Sequence, residues 1–194
     1  MKKLAVIITK LFFGVFYRVE LVNLEKIPAE GAAILCANHK TMLDMFILGY
    51  RMKRWIYWMA KEELFKNPIS AWIFTKLGAF SVKRGKVDIN SIKTAYKLLG
   101  EGKIIGVFPH GKRTTAANVN TVRIKSGAAM LAVNSGASII PAAVQGNYRL
   151  FGRMKVIFGD PFKVDSDRKY TGEELSEISR EIVKRIYALL EEKQ

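Results

Sequence analysis

Cysteine is almost absent from this sequence, and that scarcity excludes a fold stapled by disulfides. A single cysteine, Cys36, stands among 194 residues, so the chain cannot form an internal disulfide. Cys36 lies in the apolar run AAILCAN, which favours a small core residue over a reactive thiol. The sequence therefore suits a reducing compartment.

Acidic residues are outnumbered by basic ones. Asp and Glu number 17 against 32 Lys and Arg, which gives a formal net charge of +15. This surplus indicates an anionic partner: nucleic acid, anionic lipid or a phosphorylated substrate. The aromatic residues of MKRWIYWMAK could stack on bases, but the basic residues are spread along the chain. No helix-turn-helix, zinc-finger or RNP-type signature accompanies them, so we expect no nucleic acid partner.

No apolar run reaches the roughly 20 residues that a bilayer-spanning helix needs. The most apolar stretch has 14 residues, from Leu4 to Tyr17, and Lys10 interrupts it. A signal peptide would start in the same way, but no small-x-small cleavage pattern follows. The stretch is rich in aromatics and apolar nearly all round, which predicts a helix lying in a membrane interface; an ordinary core helix is the alternative. We therefore separate a membrane-associating segment, 1–18, from a domain, 19–194.

Short apolar runs then alternate with helical patterns. This alternation indicates a single α/β domain with a mainly parallel β-sheet flanked by helices. Strands are predicted at 32–37, 55–60, 79–83, 104–108, 139–144 and 154–158, and helices at 42–51, 68–76, 89–99, 126–134 and from 171 or 172 onwards. Ligands of such sheets bind at loops that follow the carboxyl ends of strands. Loops 38–44 and 109–115 have that placement and unusual chemistry.

The first of these loops, in CANHKTMLD, places His39 just after a predicted strand and Asp44 five residues later. If His39 lies in the loop and Asp44 in the first helical turn, the carboxylate can hold one imidazole nitrogen while the other takes a proton. Such a pair would activate a hydroxyl group supplied by the substrate. The alternative is structural, because Thr41 to Asp44 also matches a helix-capping pattern.

Four ordered blocks resemble those of the glycerolipid acyltransferases. NHKTMLD resembles the NHx4D motif, and GAFSVKR (78–84), VFPHGKRT (107–114) and IIPAAV (139–144) resemble the second, third and fourth blocks of that family. The resemblance covers residues 19–160. It implies an acyltransferase fold with no metal and no bound cofactor, and acyl-CoA or acyl-acyl carrier protein as co-substrate.

The same resemblance assigns roles to residues. It implies that His39 is the general base, which takes the proton from the 2-hydroxyl of lysophosphatidic acid as that oxygen attacks an acyl thioester, and that Asp44 orients His39. It also implies that Arg84 and Arg113 bind the acceptor phosphate, where a guanidinium fork suits phosphate oxygens. Gly111 would let the backbone approach the ligand closely.

The third block departs from the family pattern. The family has FPEGTR where this chain has FPHGKR, so His110 replaces a glutamate and Lys112 a threonine. Lys112, His110 and Lys125 are therefore accessory candidates for the phosphate site. The departure leaves two alternatives open: a different acceptor, such as glycerol 3-phosphate or another lysophospholipid, or a membrane-bound homologue with reduced activity.

The resemblance and the charge together also predict a location. An anionic membrane surface is the expected partner, and a peripheral or monotopic position on the cytoplasmic face of the cell membrane is expected.

Overall fold

A β-sheet forms the centre of the fold. The computed structural model describes residues 1–83, 88–114 and 122–191. Its strands are β1 (Arg18–Val22), β2 (Ala33–Ala37), β3 (Ile56–Lys61), β4 (Phe80–Val82), β5 (Ile104–Val107), β6 (Ser138–Gly146) and β7 (Arg153–Phe158). They form one sheet in the order β1-β7-β6-β2-β5-β3-β4. Every pair is parallel except β6–β7, so the predicted mainly parallel sheet is confirmed.

In the described part of the chain, six α-helices surround the sheet. They are α1 (Lys2–Phe16), α2 (Asp44–Leu48), α3 (Pro68–Lys76), α4 (Ile89–Gly100), α5 (Gly127–Ser135) and α6 (Gly172–Glu191). Side-chain caps mark the start of two of them: the side chain of Asn67 caps α3, and that of Asp88 caps α4. The helix predicted at 42–51 is shorter than expected because Gly49 ends it and Arg51 turns the chain with φ of 60°.

Strand β2 lies at the middle of the core, and all five of its residues are buried. Because side chains alternate along a strand, Leu35 packs in the cluster that includes Phe13 of α1 and Ile47 of α2. Cys36 faces the other cluster, built against α4, α5 and α6. Burial raises the pKa of its thiol to about 12, so Cys36 is an inert core residue, as predicted.

The directions of the strands bring three loops to one edge of the sheet. Strands β5 and β6 run parallel to β2, so all three end at the same edge. The β6–β7 pair is antiparallel, and its connecting loop, 147–152, therefore lies there too. Strand β1 runs parallel to β7 and starts at this edge, which places the last turn of α1 beside that loop. We call this the carboxyl edge.

Candidate active site

His39 and Asp44 meet at the carboxyl edge, just after β2. The Nδ1 atom of His39 lies 2.9 Å from Oδ2 of Asp44; the Asp44 side chain is fully buried and that of His39 is 12% exposed. A carboxylate on Nδ1 selects the neutral tautomer in which Nε2 carries the lone pair. Among the described residues, Nε2 has no hydrogen-bond partner, and it is therefore open to a proton from a substrate.

Backbone groups and one tyrosine hold the Asp44 carboxylate in place. Its Oδ2 also accepts from the backbone N–H groups of Lys40 at 2.6 Å and Thr41 at 2.7 Å. Its Oδ1 accepts from the hydroxyl of Tyr148 at 2.7 Å. Thr41 Oγ1 in turn accepts from the N–H of Leu43, so the side chains of Thr41 and Asp44 brace the turn that precedes α2, whose own N-cap, Leu43, has no side-chain cap among the described residues. The two interpretations of Asp44 are thus compatible: one carboxylate closes the turn and holds the imidazole.

Tyr148 is a contributor to this site that the sequence did not reveal. Burial, and then the neighbouring Asp44 carboxylate, raise the pKa of its hydroxyl well above the usual value. The hydroxyl therefore stays protonated and acts as a donor to Asp44. The two residues are 104 positions apart, and no local pattern links them.

Aromatic rings support the imidazole from one side. The ring of Phe108 stacks on His39, with centroids 3.9 Å apart and planes inclined by 11°. Trp58 stacks on Phe108 in turn, at 5.0 Å. Gly106 makes this possible, since a Cβ at that position would collide with the Trp58 ring. The stack fixes the plane of the imidazole while leaving its Nε2 atom unblocked by hydrogen bonds from the described residues.

The first motif is also tied to the third and fourth. The backbone N–H of Thr114 donates to the His39 carbonyl at 2.8 Å. The Asn38 side chain donates to the Val144 carbonyl at 3.0 Å and accepts from the Val144 N–H at 2.7 Å. Three of the four blocks therefore form one hydrogen-bonded unit around His39.

The predicted phosphate residues fall in different places. Gly111 and Lys125 line a cavity of about 330 Å³ whose wall also includes Phe108, Lys83, Asp88 and the first turn of α5. Most of the remaining wall is apolar. Gly111 has φ of 65°, and the Lys125 side chain packs beside it. Arg113 and Lys112 are exposed on the same loop. Arg84 lies outside the described residues. We call this space the basic cavity.

His110 occupies a different environment from its neighbours. It is only 5% exposed, and its ring stands edge-on to Tyr187 of α6, with centroids 6.1 Å apart. Burial lowers the pKa of His110 from the usual 6.5, which favours the neutral imidazole near neutral pH. The added positive charge of the FPHGKR loop therefore resides on Lys112 rather than on His110.

A second cavity lies on the other side of the stacked rings. It has a volume of about 170 Å³ and is lined mostly by apolar side chains of α1, α2, β3 and α3, with Lys10, Arg51, Lys53 and Arg54 also on its wall. Trp58 lines this apolar cavity, whereas Phe108 lines the basic cavity. One ring of the stack thus faces each space, next to His39.

Helix α1 leaves a broad apolar face uncovered. Five of its residues are more than half exposed and follow helical spacing: Leu4, Ile7, Ile8, Leu11 and Val15. Within the described residues, no helix has both the length and the apolar character needed to cross a bilayer.

The sequence is similar to a protein family and to several of its members. The acyltransferase family model matches residues 18–145. The chain is 38% identical over 149 residues to a 1-acyl-sn-glycerol-3-phosphate acyltransferase of Bacillus subtilis, covering 74% of this chain and 73% of that protein. It is 29% identical over 178 residues to the protein of that name from Streptococcus pneumoniae, covering 88% and 65%.

A solved structure shows the same fold. The crystal structure of the 1-acyl-sn-glycerophosphate (LPA) acyltransferase PlsC from Thermotoga maritima superposes with a TM-score of 0.71 at 24% identity, covering 98% of this chain and 79% of that one. The matched family model and the identity to the Bacillus protein together show that this chain belongs to the acyltransferase family.

Proposed function

We propose that this protein transfers an acyl group from a thioester to the 2-hydroxyl of lysophosphatidic acid, which gives phosphatidic acid. The observation that carries the proposal is the His39–Asp44 pair, with Nδ1 held by a buried carboxylate and Nε2 open. The names of the Bacillus and Streptococcus relatives specify this reaction for those proteins. Together, the base and the family point to a hydroxyl acceptor.

The chemistry needs no nucleophile from the protein. The substrate hydroxyl oxygen attacks the thioester carbonyl carbon while Nε2 of His39 takes its proton. Asp44 stabilises the imidazolium that forms on His39, because an opposite charge lies in contact with it. The C–S bond then breaks, and the imidazolium returns its proton to the departing thiolate. Cys36 takes no part, since its thiol is buried and protonated.

The basic cavity is the proposed site for the acceptor phosphate. It brings together Lys83, Gly111 and Lys125 beside the first turn of α5. The Asp88 carboxylate on its wall accepts from the N–H groups of Lys83 and Ser91, and the Lys83 ammonium forms an ion pair with Glu62 at 3.6 Å. No side chain among the described residues caps the α5 N-terminus, so its backbone N–H groups and its dipole favour an anion there. Arg113 and Arg84 complete the proposed set, with the former on the exposed part of the same loop. Phe108 lines this cavity and also stacks on His39, so a phosphate bound there would bring the acceptor close to the base.

The apolar cavity is the proposed position of the acyl chain. Its wall reaches Trp58, two rings away from His39. An acyl chain in the apolar cavity and a phosphate in the basic cavity would leave thioester and hydroxyl to meet near Nε2. The donor is proposed to be acyl-CoA or acyl-acyl carrier protein.

A membrane surface supplies such substrates, and we propose that α1 lies in it. The exposed apolar face of α1, with Lys3 and Lys10 also on this helix, suits an interfacial position on an anionic leaflet. The expected placement is peripheral or monotopic, on the cytoplasmic face of the cell membrane.

An acyl-transfer assay of the purified protein tests this function. Lysophosphatidic acid, glycerol 3-phosphate and lysophosphatidylcholine would each be offered with acyl-CoA and with acyl-acyl carrier protein. We expect phosphatidic acid as the main product, and we expect His39→Gln to reduce turnover by at least about 10³-fold while the melting temperature is kept. A folded His39→Gln variant with parental turnover would remove His39 from the mechanism.

A further inference from the structure

The loop between β6 and β7, residues 147–152, holds two large apolar side chains out of the core. Leu150 is 64% exposed and Phe151 is 63% exposed. Phe151 has φ of 60°, a left-handed conformation that bulky residues rarely adopt. Its backbone N–H donates to the Phe16 carbonyl at 2.7 Å, which holds this conformation. Strained backbone conformations cluster at functional sites, so a strained residue that exposes a large apolar side chain indicates a function for this loop.

This loop continues the exposed face of α1. The rings of Phe16 and Phe151 have centroids 6.5 Å apart, and Phe12 lies 5.4 Å from Phe16. The two segments are also joined through the backbone, since the N–H of Arg18 donates to the Gly152 carbonyl at 3.0 Å. The loop and the last turn of α1 thus form one apolar corner at the carboxyl edge.

Three arginines surround this corner. Arg149 and Arg153 flank the apolar tip, and Arg18 is the register partner of Arg153 across the β1–β7 pair. All three are exposed, and none forms an ion pair with any residue that the structure describes. An apolar tip bordered by unpaired arginines complements a surface with phosphates above hydrocarbon. A second copy of this chain would instead bring the same arginines together, and like charges repel.

We propose that loop 147–152 is a bilayer-docking element, with Leu150 and Phe151 entering the acyl region of an anionic leaflet while Arg18, Arg149 and Arg153 contact lipid phosphates. The proposal rests on the membrane-bound function proposed above and adds a second point of contact beside α1. Tyr148 of the same loop donates to Asp44, and its ring lies edge-on to Tyr17 at 6.0 Å. Docking of this loop therefore sets the height of the His39–Asp44 pair above the lipid.

The test uses the full chain with a double substitution, Leu150→Ser and Phe151→Asn. Asparagine is chosen because it tolerates left-handed backbone, so the loop conformation is kept. Binding to vesicles of phosphatidylglycerol and phosphatidylcholine is measured by co-sedimentation. Acyl transfer is measured on lysophosphatidic acid in those vesicles and on a short-chain, water-soluble analogue. Ile89→Ser is the matched control, since Ile89 is 62% exposed on α4, in the opposite helix layer.

We expect vesicle binding of the double variant to fall by about 10- to 100-fold, because two large side chains no longer enter the acyl region. Turnover of vesicle-borne substrate falls with it, while turnover of the soluble analogue stays within about twofold. The Ile89→Ser control binds as the parent does. Parental vesicle binding by the double variant would overturn the proposal, and so would a dimeric parent that becomes monomeric on substitution with unchanged lipid binding.

The same experiment separates this proposal from the proposed function. If the parent binds vesicles through the loop but acylates neither substrate, the reaction assignment fails and the docking surface stands. If the parent acylates both substrates and the double variant does so equally, the docking proposal fails and the reaction stands.

Discussion

Replacing Asp44 with asparagine tests whether the carboxylate acts through its charge. The Nδ1 and Oδ2 atoms are 2.9 Å apart, so an imidazolium on His39 would have its charge about 4 Å from that of the carboxylate. Two unit charges at about 4 Å interact by about 4 kcal/mol at an effective dielectric constant of about 20. Since about 1.4 kcal/mol is a tenfold change in rate, we expect kcat to fall about 10³-fold with little change in KM.

Asparagine keeps the shape of the site. Its carbonyl oxygen can accept from His39 and the two backbone N–H groups, and its amide can donate to the Tyr148 hydroxyl. The assay is thiol release from the acyl thioester at saturating lysophosphatidic acid, with the melting temperature measured in parallel. Asp160→Asn is the matched control, because Asp160 is 79% exposed in an ion pair with Lys26. A folded Asp44→Asn variant that loses less than about tenfold in kcat would refute the electrostatic argument.

Three further predictions concern neighbouring residues. Asn38→Ala removes the side chain that pairs with the Val144 N–H and carbonyl, so we expect the free energy of unfolding to fall by about 2–4 kcal/mol. Urea unfolding measures this, and an unchanged urea concentration at the midpoint would contradict it. Arg113→Ala should raise KM for lysophosphatidic acid about 10-fold with kcat nearly kept, and an unchanged KM would remove Arg113 from the phosphate site. Burial lowers the pKa of His110, so below 6.5 the unfolded chain binds a proton that the folded chain resists, and stability falls with falling pH. Between pH 7 and pH 5, the melting temperature of the His110→Gln variant should therefore fall by less than that of the parent. An equal fall in the two proteins would argue against this.

The order of the helices and strands could largely be predicted from the sequence because it depends on local patterns. Buried strands such as β2 and β5 are continuous apolar runs, and α4 shows a clear apolar face. Strand β1 was not predicted: none of its five residues is buried, since Arg18 and Glu20 are exposed and the other three are half-buried. It becomes a strand through pairing with β7, more than 130 residues later in the chain, and no local pattern reports that partner.

In the candidate site, too, the residues with local partners could be predicted from the sequence and those with distant partners could not. His39 and Asp44 are five residues apart, so their pairing could be predicted from one loop and one turn. Tyr148 could not, because its hydrogen bond to Asp44 depends on how the β6–β7 hairpin packs against the first motif. The burial of His110 likewise depends on Tyr187 in the last helix.

The hydrogen bonds that support the first motif join residues far apart in the chain, and this affects when the chain becomes active during synthesis. The first motif leaves the ribosome early, yet its supports at Val144 and Tyr148 follow more than 100 residues later. A nascent chain that ends before the β6–β7 hairpin lacks the partner of Asn38 and the donor to Asp44 Oδ1. Such a chain can bring His39 and Asp44 together only without these two supports. Support of the His39–Asp44 pair is thus coupled to completion of the sheet, and strand pairings of high sequence separation are slow to form.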